Sequence, residues 1–315
     1  MEQRPLGRTG LMVSALAFGC GNVGGLIVRG DAGLRSRAVA MALAAGVTYF
    51  DTAAQYGDGR SEEHLGAALR EAGALTAVAV GTKVRLPEER LAEPWPALRE
   101  ALAAGLRRLG RDHVDVLHLH NRITGALDAV ADAMGRLVAE GLIRHAGITG
   151  LGDTPAIGRA VASGGFATMQ TYLNALNPSA FWAGASGGAQ DFAGLGRRAA
   201  DAGMGILAIR VMAAGAVAGP GPRPPLAGGV GGALTEGGDY EGDLARVAAL
   251  AALPADLGLE GGMAELALRF ALSVPGVATA LVGFSDLAQI EQAARWADRG
   301  PLPPEVLDRV VAAAR

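Results

Sequence analysis

The chain has 315 residues, 50% apolar and only 19% charged, with 48 glycines, one cysteine and a net charge of −3. That composition buries a sizeable core and excludes disorder as the main state. The near balance of 28 basic and 31 acidic residues argues against a nucleic-acid partner, and Cys20 alone allows neither an intrachain disulfide nor a thiolate zinc site.

The opening Met1-Glu2-Gln3-Arg4-Pro5 lacks a basic region followed by an apolar one, so no secretory leader is expected. No run of 18 apolar residues is free of charges and turn residues, so no membrane span is expected either. The expectation is a cytoplasmic protein with small-molecule partners; nothing in the sequence sets an oligomeric state.

Residues 1–14 read as a small hairpin turning at Gly7-Arg8-Thr9-Gly10. One phrase then repeats: a short apolar run, a loop, an amphipathic helix and a glycine stop. The runs begin near Ala15, Val47, Ala77, Val114, Ile143, Ala167, Gly205 and Ala278. The helices between them end at Gly46, Gly73, Gly110, Gly141, Gly164, Gly203 and Gly276, where a left-handed residue terminates a helix. Ser61, ahead of Glu62 and Glu63, is the predicted N-cap of a helix running to Arg70. Eight strand–helix units predict a closed (β/α)8 barrel, one domain over 1–315, with the hairpin at its bottom.

Two segments stand apart. Gly19-x-Gly21-x-x-Gly24 matches a dinucleotide-binding fingerprint by letters, but 25–30 is too short and broken for the helix that fingerprint needs. The next helix is expected near Asp31, so an open doubly wound sheet is set aside. Residues 211–238 hold nine glycines and four prolines, predicting a long loop after strand seven that forms a mobile cover over the active face.

In such a barrel the chemistry sits where strands end. Strand two ends in Asp51, with Tyr56 in the following loop; strand three ends in Lys83 and strand four in His120. Alternation puts Lys83 on the face of Ala79 and Gly81, toward the interior, and His118 one layer below His120, as a core histidine with its hydrogen bond satisfied. A phenol beside an ammonium gives up its proton more readily, a carboxylate holds the ammonium, and an imidazole orients a substrate oxygen. That set suits carbonyl reduction or alcohol oxidation. It lacks the nucleophile–base pair of acyl transfer and the cluster of histidines and carboxylates of a metal-dependent hydrolase.

The whole chain resembles the aldo-keto reductases. The resemblance rests on Leu6-Gly7-Arg8-Thr9-Gly10-Leu11, Phe50-Asp51-Thr52-Ala53-x-x-Tyr56-Gly57, Gly81-Thr82-Lys83, Asp115-Val116-Leu117-His118-Leu119-His120, Gly141-Leu142-Ile143-Arg144-x-x-Gly147-Ile148-Thr149 and Gln170-x-x-x-Asn174. It implies a catalytic tetrad of Asp51, Tyr56, Lys83 and His120, with Tyr56 as proton donor. It also implies a nicotinamide dinucleotide, NADP(H) favoured and NAD(H) possible, lying across the barrel mouth. The implied contacts are Thr149 and Gln170 at the carboxamide, and Gly21, Asn22 and Asp51 near the ribose and ring. Ile209, Arg210, Val211 and Gly215 follow strand seven, and Gly283, Ser285 and Gln289 form the nucleotide end.

Four positions depart from the family pattern. Gly150 stands for an asparagine, Ile209 for the aromatic that stacks on the nicotinamide, Arg210 for a serine, and Asn121 for an aromatic or Asp after the catalytic histidine. Residues 283–292 contain no Arg or Lys to meet a 2′-phosphate, so weak discrimination between the two dinucleotides is expected. The alternative is a regulatory subunit on the same barrel, as in the family's potassium-channel β-subunits; the intact tetrad favours the enzyme.

Overall fold

The computed structural model describes residues 1–219, 222–229 and 237–315. A two-stranded hairpin of β1 (Gln3–Pro5) and β2 (Met12–Ser14) leads in. Eight parallel strands follow: β3 (Leu16–Gly19), β4 (Tyr49–Asp51), β5 (Ala79–Val84), β6 (Val114–Leu119), β7 (Ile143–Gly150), β8 (Thr168–Tyr172), β9 (Gly205–Ile209) and β10 (Val277–Gly283). They close into a barrel in which β10 pairs with both β3 and β9, as the eight predicted strand starts imply.

The helices are α1 (Leu26–Arg29), α2 (Ala32–Ala44), α3 (Arg60–Glu71), α4 (Trp95–Leu109), α5 (Asp128–Ala139), α6 (Thr154–Ala162), α7 (Leu195–Asp201), α8 (Tyr240–Leu250), α9 (Leu253–Asp256), α10 (Gly262–Ser273), α11 (Leu287–Asp298) and α12 (Pro304–Ala313). All seven predicted glycine stops have positive φ; at Gly110 (φ 67°) the amide returns to the carbonyls of Leu106 and Arg107, closing α4.

Strand alternation divides the apolar residues into two shells. One lies between strands and helices, and includes Phe50, Val84, Leu117 and Leu119. The other fills the barrel: Leu6, Val13, Ala17, Tyr49, Val116, Leu207, Ala278 and Leu281. Leu6 and Val13 come from the hairpin, which closes the barrel's bottom as predicted, so polar chemistry is confined to the opposite mouth.

Two expectations are corrected. Residues 26–29 form one helical turn, because Leu26, Ile27 and Val28 bury against the body and Leu26 N donates to Phe284 O at 3.0 Å. Ser61 is not an N-cap: Gly59 (φ 90°) starts α3 and Ser61 lies buried inside its first turn. Asp31 does cap α2, accepting from Leu34 N at 2.8 Å.

Of the predicted loop 211–238, residues 220, 221 and 230–236 lie outside the described residues. The described stretch 222–229 is tied down. Arg223 donates to Ala214 O (2.9 Å), Arg29 to Leu226 O (2.6 Å), and Gly228 N to Val23 O (2.9 Å).

Candidate active site

Four neighbouring strands bring the predicted groups to one rim through their register. Asp51 pairs with Gly19 on one side and Gly81 on the other, and Lys83 pairs with His118. Gly81 is required here: a Cβ would fall 2.1 Å from the Tyr49 hydroxyl. Beyond β4 the chain keeps pairing with β5, Thr52 N donating to Gly81 O (2.9 Å) and Ala54 N to Lys83 O (3.2 Å). This ladder turns the loop back so that Tyr56 faces Lys83.

Lys83 is the centre of the arrangement. Its side chain is 1% exposed and its ammonium donates to Asp51 Oδ1, to Thr52 O at 2.9 Å and to the Tyr56 hydroxyl at 3.2 Å. All three donors are therefore used. Gln170 Nε2 donates to Asp51 Oδ2 at 2.6 Å, and the Tyr56 and His120 rings meet edge to face with centroids 5.7 Å apart.

The electrostatics follow from burial. Loss of water disfavours the Lys83 charge, but Asp51 and Tyr56 outweigh it and hold the ammonium above the usual lysine range. Burial raises the Asp51 carboxyl, while Lys83 and Gln170 pull it back. Burial and the charges of Lys83 and Arg85 push His120 down to about 3, so its imidazole is neutral under ordinary conditions. Its Nδ1 is buried without a hydrogen bond among the described residues. Nε2 has neither that burial nor a bond, so it is the nitrogen open to the mouth. His118, fully buried one layer below, is pushed well under the usual histidine range by burial. It has half of the predicted satisfaction: Nε2 meets Thr168 Oγ1 at 3.1 Å, and Nδ1 has no partner among the described residues.

Supporting residues that strand-end reasoning missed come from α3. The Ser61 hydroxyl accepts from Thr52 Oγ1 and donates to Cys20 O, both at 2.8 Å. Glu62, 1% exposed, accepts from Thr82 at 2.6 Å and from Arg108 at 2.7 Å. In the sequence Glu62 reads as an ordinary first-turn acid; its burial depends on α4 packing beside it.

The residues implied for a dinucleotide divide into three groups. Thr149 and Gln170 pair across β7 and β8. The Gln170 nitrogen is committed to Asp51, whereas the buried Thr149 hydroxyl has no partner among the described residues. Gly21 lies against the Tyr56 ring, a Cβ there meeting it at 3.5 Å, and Asn22 is exposed beside it, its carbonyl accepting from Arg29 at 2.5 Å.

At the nucleotide end, Ser285 Oγ donates to Gly24 O (2.8 Å) and Gln289 Oε1 accepts from Ser285 N (2.8 Å). Exposed Gly283 is thus gathered against the first loop. After β9, Ile209 packs at the barrel interior and Val211 is buried, while Arg210 (φ 60°) and Gly215 (φ 98°) have left-handed backbones. Arg210 is held by Asn174 Nδ2 and Ala213 N on its carbonyl, and its buried Nε has no partner among the described residues. Asn121, the departure after His120, staples the neighbouring loop, its side chain bonding both Leu86 N (2.9 Å) and Leu86 O (2.8 Å). Among the described residues no group of His, Cys, Asp and Glu is arranged to hold a metal ion, and no helix is long and apolar enough to cross a membrane.

Comparison with known proteins agrees with this fold. An aldo-keto reductase from Bacillus halodurans in its holo form superposes with a TM-score of 0.75 at 24% identity, covering 100% of this chain and 97% of that one. An aldo-keto reductase from Klebsiella pneumoniae in complex with NADPH gives 0.72 at 23% identity, covering 98% and 94%. L-galactose dehydrogenase of Arabidopsis thaliana is 36% identical over 159 residues, 48% of this chain and 49% of that protein. The aligned part of this chain thus spans about half the length of the curated relatives it matches. The family model "Aldo/keto reductase family" matches residues 15–315. With the barrel and the Lys83-centred site as described, the chain belongs to the aldo/keto reductase family.

Proposed function

We propose that this chain is a nicotinamide-dependent oxidoreductase that interconverts a small carbonyl compound and its alcohol, with NADP(H) favoured and NAD(H) accepted. The observation that carries the reading is the bonding of Lys83, whose ammonium joins the Asp51 carboxylate to the Tyr56 hydroxyl inside the barrel mouth. The bound dinucleotide supplies the hydride. Its fit is supported by the buried Thr149 hydroxyl, an acceptor and donor suited to an amide and without a partner among the described residues. Thr149, Gln170 and Asp51 would hold the nicotinamide end, with Gly21 and Asn22 beside them. Ile209, Arg210, Val211 and Gly215 would hold the middle, and Gly283, Ser285 and Gln289 the nucleotide end. The NADPH carried by the Klebsiella pneumoniae relative supports the cofactor class.

Tyr56 gives its hydroxyl proton to the substrate oxygen during reduction and takes one from the alcohol in the reverse direction. The negative charge left on its oxygen faces the Lys83 ammonium, which Asp51 and Thr52 O fix in place. In a water-poor site a fixed charge of this kind stabilises the developing anion without reorganising. Neutral His120 donates from Nε2 to the same substrate oxygen and orients it. Tyr56→Phe keeps the ring and removes the proton. The expected result is loss of turnover of small aldehydes with binding of NADPH retained, read by fluorescence titration. A variant retaining more than about a tenth of the wild-type rate, under ~1.4 kcal/mol of barrier, refutes Tyr56 as the acid.

A further inference from the structure

Just past the end of β5 the chain carries a second cation, Arg85, that the proposed chemistry does not use. Val84, the last residue of β5, and Leu86 are both buried, while Arg85 between them is exposed. The His120 amide donates to Val84 O at 2.7 Å, and Asn121 grips both backbone groups of Leu86. Arg85 is thereby locked beside the end of β6, at the level just above His120. Its charge reaches the His120 ring, where it is among the causes that keep the imidazole neutral.

Arg85 is exposed, and among the described residues it has no hydrogen bond and no ion pair. Glu88, the carboxylate three residues on, accepts from Asn121 at 3.2 Å instead. A second arginine, Arg122, follows two residues after His120 on the adjoining strand end. A substrate whose carbonyl oxygen sat between Tyr56 and His120 would have Arg85 close by, since Val84, the residue before it, is bonded to the His120 amide.

We propose that Arg85 docks an anionic group, carboxylate or phosphate, on the far end of the substrate, so that the enzyme prefers anionic carbonyl compounds to neutral ones of the same shape. The inference rests on the oxidoreductase reading above. A guanidinium pairs with either anion through two parallel donors, and for an exposed pair the gain is up to about fivefold in kcat/KM, appearing mainly in KM.

The test compares 4-carboxybenzaldehyde with benzaldehyde, and glyceraldehyde 3-phosphate with glyceraldehyde, as substrates of the full chain with saturating NADPH. The wild type is expected to favour the charged member of at least one pair by about fivefold, the two pairs separating carboxylate from phosphate. In Arg85→Gln the ratio falls to within about twofold of one, and Arg85→Lys restores part of it. High salt lowers the wild-type ratio and leaves that of Arg85→Gln flat. Turnover of the neutral aldehydes with no preference for the charged ones, or a preference that survives in Arg85→Gln, overturns the proposal while leaving the oxidoreductase reading intact. No turnover of any of the four overturns both.

Discussion

Replacing Lys83 with methionine probes the buried pair at the heart of the site. The two side chains are 1% and 5% exposed, and methionine nearly preserves the length of lysine, so the main loss is charge rather than volume. Asp51 is left with Gln170 Nε2 as its remaining side-chain donor among the described residues. Removing one partner of a buried pair costs about 3–5 kcal/mol, because the other charge stays uncompensated.

The cost depends on pH with a definite sign. Burial already raises the Asp51 carboxyl and Lys83 pulls it back; without that pull the folded-state value climbs further. A carboxyl raised in the folded state keeps its full stability below the unfolded value, ~3.9, and loses it as pH rises toward the folded value. Because the wild-type carboxyl is itself raised, the deficit of Lys83→Met relative to wild type grows with pH only above the wild-type folded value, by up to ~1.4 kcal/mol per unit, until Asp51 ionises in the variant's fold. Adding Asp51→Asn removes the stranded charge and recovers most of the loss. Urea unfolding followed by circular dichroism, at several values between about pH 5 and pH 8, reads all of this. A deficit below about 1 kcal/mol, the range of a surface pair, refutes the reasoning. So does one that shrinks as pH rises, or a double variant no more stable than Lys83→Met.

Three further outcomes are expected. His120, held at about 3 mainly by burial, binds its proton more weakly folded than unfolded, so stability falls as pH drops from ~6.5 by ~1.4 kcal/mol per unit; His120→Asn should flatten that slope in acid melts, and an equal slope counts against it. Gly24→Ala puts a Cβ 2.5 Å from Phe284 N and 2.6 Å from Gly283 C, so thermal melts should show a loss of ~1–3 kcal/mol, and an unchanged melt shows that the two loops are not in such contact. Because 283–292 holds no Arg or Lys and the Asp286 carboxylate accepts from Gln289 N at 2.9 Å, dissociation constants for NADPH and NADH should differ by less than about a hundredfold; a larger preference for NADPH refutes weak discrimination.

Local periodicity carried the strand starts, the glycine stops and the strand ends that bear Asp51, Lys83 and His120, because alternation and helix termination act over a few residues. Parity alone placed Lys83 inside, and the structure agrees. Other features depended on groups distant in sequence. The turn at 26–29 reads as broken loop until Phe284 and the body of the barrel bury it. Ser61 has the letters of a cap, yet its hydroxyl is engaged by Thr52 and Cys20 while Gly59 opens the helix. The burial of Glu62 between Thr82 and Arg108, the orphaned Thr149 hydroxyl and the unpaired Arg85 are likewise invisible to any window along the chain. Short-range rules decide which face a residue occupies; whether a polar group on that face finds a partner is decided by barrel closure, which joins residues as distant as Arg4 and Val277, 273 positions apart.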